Sequence, residues 1–272
     1  VSRIVCWFSC GAASAYATKL AIEANAGERE LVVVSIFLED EHPDSDRFLE
    51  DCEKWFGQEI IQIADEKYGA SVDKVIASTK YMSGARGARC TKELKKQVRL
   101  DWQRDDDTHV FGMHIGEEKR VNQLIDGEPD LDVWPILVEE GIDKQRCFDA
   151  VEKAGIEMPE MYKLGYHNNN CIGCLKAQSA GYWNKIRQDF PKVFETRAEQ
   201  ERLVSVAMCR VQAQKFINEY EDNFRAMLDD PHCQIKINAK GALMVPLRYL
   251  PPDVGKHDPA YVPNCGFFCE TT

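Results

Sequence analysis

No apolar run in the 272-residue chain approaches the roughly 18–20 residues that a membrane-spanning helix requires. No secretory signal precedes the first strand-like segment. A soluble, cytoplasmic protein without membrane partners is therefore expected. Positive charge is also scarce: the formal net charge is −11, which argues against a uniformly basic surface that coats nucleic acid. A local basic groove remains compatible with that balance. There is no internal repeat and no low-complexity linker. Neither a G-x-G-x-x-G nor a G-x-x-x-x-G-K-[ST] pattern occurs, and no Ser-His-Asp arrangement is evident. The 44% hydrophobic content is enough for one large domain, or a domain with a substantial appendage.

What the chain does have is an alternation of strand-like and helix-like segments in its first half. Strand-like runs are Ile4–Phe8, Leu31–Phe37, Ile60–Ile63 and His109–Met113. Helix-like runs are Ala12–Asn25, Asp44–Phe56, Thr91–Gln103 and Glu117–Ile125. This order predicts an α/β fold, a parallel sheet with helices on both faces, whose ligands sit beyond the carboxyl ends of the strands. From about Pro135 helical patterns dominate: Lys144–Ala154, Ala177–Asp189 and a long one across Arg197–Leu228. A hairpin-like stretch, "CQIKINAKGALMVPL", and a proline-rich irregular tail follow. The expected division is a nucleotide-binding core at 1–135, a cysteine-pair region at 136–192, and a helical extension with hairpin and tail at 193–272.

The stretch "RIVCWFSCGAASAYATKL" joins a buried strand to a helix through a turn of small residues. Such a turn exposes backbone N–H groups, and the helix N-terminus adds a positive partial charge, so an anion is favoured there. Gly11 permits close approach, and Ser9 and Ser14 offer hydroxyls to phosphate oxygens. The competing reading is an ordinary strand–helix turn with Ser9 as N-cap. The basic run Arg86, Arg89, Lys92, Lys95, Lys96 and Arg99 in "GARGARCTKELKKQVR" reads either as a local anion groove or as a solvated helix face.

There are eleven cysteines. Cys6, Cys52, Cys147, Cys209 and Cys233 sit in periodic apolar patterns and read as core or structural residues. Cys171 and Cys174 in "NNNCIGC" have C-x-x-C spacing, which suits an iron–sulfur cluster, a zinc ion or a redox dithiol. Cys90 strengthens the metal reading, and the lysines and arginines near it would offset thiolate charge.

"SCGAAS" resembles the Ser-x-Gly-x-x-Ser loop of the phosphoadenylyl-sulfate (PAPS) reductase family, within the PP-loop ATP pyrophosphatase superfamily. The resemblance covers roughly Arg3 to Pro191. It implies an adenine-nucleotide α-hydrolase-like sheet whose loop cradles phosphate or sulfate of an adenine nucleotide (PAPS, APS or ATP). The ATP-cleaving branch has Gly and Asp where this chain has Ala12 and Ala13, which favours the sulfonucleotide side. "FLEDEHPDSDRFLED" resembles the family's acidic segment after the second strand. There Glu39, Asp40 and Glu41 are candidates for a ribose or a metal, against the plainer reading of a solvated loop. "GMHIGEEKRVN" resembles its Gly-x-x-x-x-Glu-x-x-Arg region and would place Arg120 near an anion. "CTKELKK" resembles its Cys-Cys-x-x-x-Lys segment.

The iron-containing members pair a Cys-Cys with a later C-x-x-C and hold a [4Fe–4S] cluster. The resemblance thus implies cluster ligands at Cys90, Cys171 and Cys174. Arg89 replaces the other tandem cysteine. Either one iron is open, or the tail "NCGFFC" supplies the fourth ligand. That tail resembles the Glu-Cys-Gly-x-His end carrying the family's nucleophile. The assignment taken is Cys265 as ligand and Cys269 as reactive thiol, with the swapped roles left open.

The implied activity is an oxidoreductase that reduces a sulfonucleotide with a thiol such as thioredoxin, the cluster acting electrostatically. The alternatives are an ATP-dependent sulfur transferase acting on nucleic acid, and a non-catalytic nucleotide- or redox-sensing module.

Overall fold

The structure, a computed structural model, describes residues 2–84 and 87–255. Arg86, Cys265 and Cys269 lie outside the described residues. The first half contains strands β1 (Ile4–Trp7), β2 (Leu31–Ile36) and β3 (Ile60–Ile63), the two-residue pair β4 (Ser83–Gly84) and β5 (Gly87–Ala88), then β6 (Thr108–Phe111) and β7 (Asp132–Val133). Interleaved with them are helices α1 (Ala12–Asn25), α2 (Asp44–Phe56), α3 (Val72–Thr79), α4 (Gln97–Trp102) and α5 (Glu118–Gly127). Five strands form one parallel sheet in the order β3-β2-β1-β6-β7. The expected α/β fold with a parallel sheet is therefore present.

The reason lies in the strand sequences. Every residue of β1 is buried, as is every residue of β6, so these strands need cover on both faces. Alternation splits β1: Ile4, Cys6 and Phe8 pack with α1, α2 and the region of Cys147 and Val151, while Val5 and Trp7 pack with Phe111, Val121 and Leu124. The strand order reverses between β1 and β6, which places a crevice beyond their carboxyl ends. Gly112, just past β6, lets α1 approach closely. A Cβ there would lie 2.4 Å from the Ser14 backbone nitrogen and 2.5 Å from its Cα.

The second half contains α6 (Ile136–Glu139), α7 (Lys144–Lys153), α8 (Glu160–Lys163), α9 (Ala180–Asp189), α10 (Pro191–Val204), β8 (Cys209–Gln212), α11 (Ala213–Glu219), α12 (Glu221–Asp229) and β9 (Ala242–Val245). Two expectations need correction. The long helix across Arg197–Leu228 is interrupted: α10 ends at Ser205, which adopts a left-handed φ of 53°, and β8 follows. Buried Glu201 enforces the turn by accepting from the Met208 N–H at 2.5 Å and the Leu247 N–H at 2.5 Å. The expected hairpin within 233–247 is present in short form, with Ile237 bridging Leu243, the Asn238 N–H donating to the Ala242 carbonyl at 2.9 Å and the Met244 N–H to the Lys236 carbonyl at 3.2 Å, while the other edge of β9 pairs with β8. The expected helix over Thr91–Gln103 opens as a wider π-helical turn, Thr91–Lys96, before α4.

Residues of 193–255 share one apolar cluster with Leu38, Val72, Leu94, Cys171 and Cys174. Cys6, Cys52, Cys147 and Cys209 are buried and Cys233 is half-buried, in keeping with packing roles. No helix among the described residues is long and apolar enough to cross a membrane.

Candidate functional site

The loop after β1 is closed by Ser14. Its Oγ accepts from the Ser9 N–H (3.1 Å), the Ser9 hydroxyl (3.2 Å) and the Gly11 N–H (3.4 Å), and donates to the Gly11 carbonyl (2.9 Å). Gly11, not Ser9, is the N-cap of α1. Ser14 is buried, and its hydroxyl donates to the Gly11 carbonyl, so it shapes the loop. Cys10 takes a left-handed φ of 51°, unusual for a residue with a Cβ. Asn169 holds that conformation: its Nδ2 donates to the Cys10 carbonyl at 2.7 Å and to the Ser45 hydroxyl at 3.1 Å. The segment preceding the C-x-x-C pair is thereby fastened to the opening loop.

Across the loop stands Tyr162, whose hydroxyl would lie 3.3 Å from a Cβ at Gly11. Burial pushes that phenol up to about 12, against hydrogen bonds from the Asn169 and Ala12 backbone. Beyond β6, Arg120 donates to Glu117 at 2.7 Å, and His114 Nε2 lies 3.4 Å from the other Glu117 oxygen. Lys144 donates to the His167 carbonyl and to Asn168 Oδ1 (3.0 Å), and its ammonium sits 5.8 Å from the Tyr162 ring centre. Burial lowers the pKa of both Lys144 and His114, with Glu117 opposing in each case. Arg120 and His114 thus flank the Glu117 carboxylate, and Lys144 adds a cation beside the Tyr162 ring. Sequence reasoning identified Arg120 but missed Lys144, His114 and Tyr162, which join the site only through space.

A crevice of about 190 Å³ opens beyond β2, lined by Cys10, Ser35, Phe37, Glu39, Glu41 and Gln62 among others. Of the acidic candidates, Asp40 is structural: it accepts from the Val72 N–H at 2.8 Å and from Arg197 at 2.6 Å. Glu41 pairs with Lys95 at 3.7 Å, and burial raises its pKa while Lys95 opposes. Glu39 is exposed at the crevice, 3.9 Å from Lys74, and Asp46 is exposed there too.

The structure brings Cys90, Cys171 and Cys174 together. All three line one small cavity, with Lys95, Arg197 and Leu38 in its wall. Cys90 immediately precedes the π turn that carries Lys95. The C-x-x-C loop is held at each residue. The Ile172 N–H donates to the Asp40 carbonyl (2.8 Å), Arg197 Nε donates to the Gly173 carbonyl (3.2 Å), and the Cys174 N–H donates to the Tyr182 hydroxyl (2.8 Å). Gly173 has a φ of 68°, and a Cβ there would lie 2.8 Å from Val193, so the turn requires glycine. Among the described residues no three His, Cys, Asp or Glu side chains converge as ligands of a metal ion. A cubane spaces its thiolates more widely than one ion does. Cys90, Cys171 and Cys174 are the kind of sulfur donors such a cluster takes, and Lys95 and Arg197, each paired with a carboxylate, stand in the same wall.

The basic run resolves into ion pairs. Arg89 meets Glu93 at 2.8 Å, Lys96 meets Glu128 at 2.7 Å, and Arg99 meets Glu128 at 2.5 Å, while Lys95 meets Glu41. Lys95 and Arg99 are buried in these pairs, whereas Arg89 and Lys92 face solvent.

Fold and site together define an α/β protein with a parallel sheet, an anion-favouring loop at its switch point and a three-cysteine cavity beside it. The sequence matches no protein-family model and no curated protein.

Proposed function

We propose that the chain is a PAPS-reductase-like iron–sulfur enzyme of the adenine-nucleotide α-hydrolase-like superfamily. The observation that carries this reading is a shared wall: Leu38 lines both the crevice and the cysteine cavity, and the Lys95–Glu41 pair spans from one to the other. In this reading the crevice takes the adenosine part, and the α1 N-terminus with Lys144, Arg120 and His114 takes the anionic end. Cys90, Cys171 and Cys174 would hold a [4Fe–4S] cluster, with Cys265 as fourth ligand. Such a cluster would act electrostatically rather than as an electron donor, with Lys95 and Arg197 in the cavity wall offsetting its thiolate charge. A thiolate, assigned to Cys269, attacks the sulfur of the sulfonucleotide. The S–O bond breaks, its electron pair leaves with the nucleotide phosphate, and an S-sulfonated cysteine remains. A dithiol of the thioredoxin class then releases sulfite and becomes a disulfide.

The test is anaerobic purification with iron and sulfide analysis, followed by incubation with PAPS, APS or ATP and a dithiol. About four irons per chain and sulfite release are expected. Cys171→Ala should abolish the iron, whereas Cys52→Ala should not. Pyrophosphate release from ATP without sulfite would replace the reductase by a sulfur transferase, and stoichiometric zinc without iron would overturn the cluster.

A further inference from the structure

Glu39, Glu41 and Asp46 line the crevice beyond β2, and no Lys or Arg does among the described residues. Two cations stand behind that lining. Lys95 lies 3.7 Å from Glu41 and Lys74 lies 3.9 Å from Glu39, so each is already set against a carboxylate of the crevice. His42, also in the lining, is committed through Nδ1 to the Asp44 N–H at 3.1 Å. The start of α2 reaches the same crevice through Pro43, Ser45 and Asp46. A bare helix N-terminus would attract a phosphate there. This one is not bare, because Asp44 and Asp46 occupy its first turn.

One end of the crevice is fixed against the opening loop. Asn169 Nδ2 donates to the Cys10 carbonyl at 2.7 Å and to the Ser45 hydroxyl at 3.1 Å, which ties the start of α2 to the turn before α1. A nucleotide whose 5′ anion rests at the α1 N-terminus has its ribose next in line, since the ribose carries that anion. The ribose therefore lies at the Cys10–Ser45 end, beside Asp46. Ribose hydroxyls can donate to carboxylates. A phosphomonoester offers only acceptors and carries a charge of about −1.5 to −2 near neutral pH. It would meet carboxylates and none of the Arg or Lys side chains that pair with it. Space points the same way. At about 190 Å³ the crevice is smaller than the roughly 300–1,000 Å³ of usual small-molecule sites, so a nucleoside leaves little room for an added group.

We infer that Glu39, Glu41 and Asp46 make the crevice selective for an adenosine whose ribose 3′-oxygen is unsubstituted, against one that bears a 3′-phosphate. The inference rests on the reading that adenosine occupies this crevice, and it narrows that reading. Adenylyl sulfate and ATP, whose charge lies wholly on the 5′ side, remain as ligands. PAPS, which carries a 3′-phosphate, is disfavoured.

The test is calorimetric titration of the anaerobically purified full chain with adenosine 5′-monophosphate and adenosine 3′,5′-bisphosphate, which differ only in the 3′-phosphate. The monophosphate should bind at least tenfold more tightly. Added salt should narrow that gap, because repulsion from exposed carboxylates is screened. Glu39→Gln/Asp46→Asn should narrow it at least threefold. Both residues are exposed, so the double variant should fold as its parent does. Equal or tighter binding of the bisphosphate by the parent would overturn the inference and leave adenosine in the crevice. A gap unchanged in the double variant would overturn the inference as well. Failure of both nucleotides to bind would overturn the adenosine reading, and the inference with it.

Discussion

Gly112→Ala tests whether the opening loop is shaped by the approach of α1 to β6. The added Cβ would sit 2.4, 2.5 and 2.8 Å from three atoms of Ser14, two of them backbone. Ordinary contact begins at 3.4 Å, so the N-terminus of α1 must retreat by about 1 Å. Overpacking of this kind costs about 1–3 kcal/mol, and the upper part of that range applies because backbone cannot rotate away. For a chain of this size that corresponds to roughly 5–10 °C in Tm. The same retreat lengthens the Ser14 hydrogen bonds, now 2.9–3.4 Å, beyond useful range. Affinity for adenine nucleotides should fall at least tenfold. Gly127→Ala is the control: a Cβ there meets nothing within 4 Å, and alanine in α5 should be neutral or stabilise by up to about 1 kcal/mol. Urea melts of both variants, with calorimetric titration of the nucleotide that binds the parent, decide the matter. A Gly112→Ala protein as stable as its parent, with full affinity, would refute the reasoning.

Ser14→Ala should cost about 1–3 kcal/mol, because it leaves the Ser9 and Gly11 N–H groups without their acceptor, whereas Ser9→Ala should cost less than 1 kcal/mol. Equal losses in chemical denaturation would count against Ser14 as the loop's organiser. His109 is buried and accepts from the Trp7 indole at 2.9 Å, and burial, then Arg99, lowers its pKa from 6.5 to about 4. The unfolded chain therefore binds the proton first. Stability from this residue is complete above pH 6.5 and declines by about 3 kcal/mol as pH falls to 4. His109→Phe should flatten that part of the pH–stability profile, and parallel profiles for parent and variant would exclude the role. Arg197→Met leaves Asp40 with no cation, and a loss of about 3–5 kcal/mol in urea melts is expected. Recovery of that loss in Arg197→Met/Asp40→Asn would identify the lost ion pair as its cause, and no loss in the single variant would contradict the hub.

The sheet was legible because strands such as "LVVVSIF" are apolar on both faces, a pattern few other structures tolerate. Helix α2 matched the expected Asp44–Phe56 because its start is acidic and Gly57 ends it in the left-handed region. Helix α3 escaped notice: it is eight residues long and rich in β-branched side chains. The break at Ser205 was hidden because the backbone N–H groups that follow are bonded by Glu201, a contact not encoded in local propensity. The cysteine set was half legible, since C-x-x-C spacing shows in sequence while the meeting with Cys90 needs the fold. The part Ser14 plays in closing the loop was not legible, because hydroxyl direction depends on how the loop folds. Lys144 and Tyr162 carried no motif at all.

The cysteine cavity and the crevice belong to one hydrogen-bonded unit, and this explains how segments far apart in sequence keep a fixed relation. Asn169 fastens the C-x-x-C segment to the carboxyl end of β1 through the Cys10 carbonyl. Ile172 fastens it beyond β2 through the Asp40 carbonyl. Arg197 closes the triangle: buried in α10, it reaches the Gly173 carbonyl, Asp40 and Asp73 together. Asp40 also accepts from Val72 at the start of α3, so α3, α10 and the cysteine loop meet at one carboxylate. Strands β1 and β2 are themselves in parallel register, Trp7 opposite Val34. The separation between crevice and cysteines is therefore inherited from the sheet and not from loop length. Breaking any one tether should loosen both cavities at once, so losses of nucleotide affinity and of metal content should appear in the same variants.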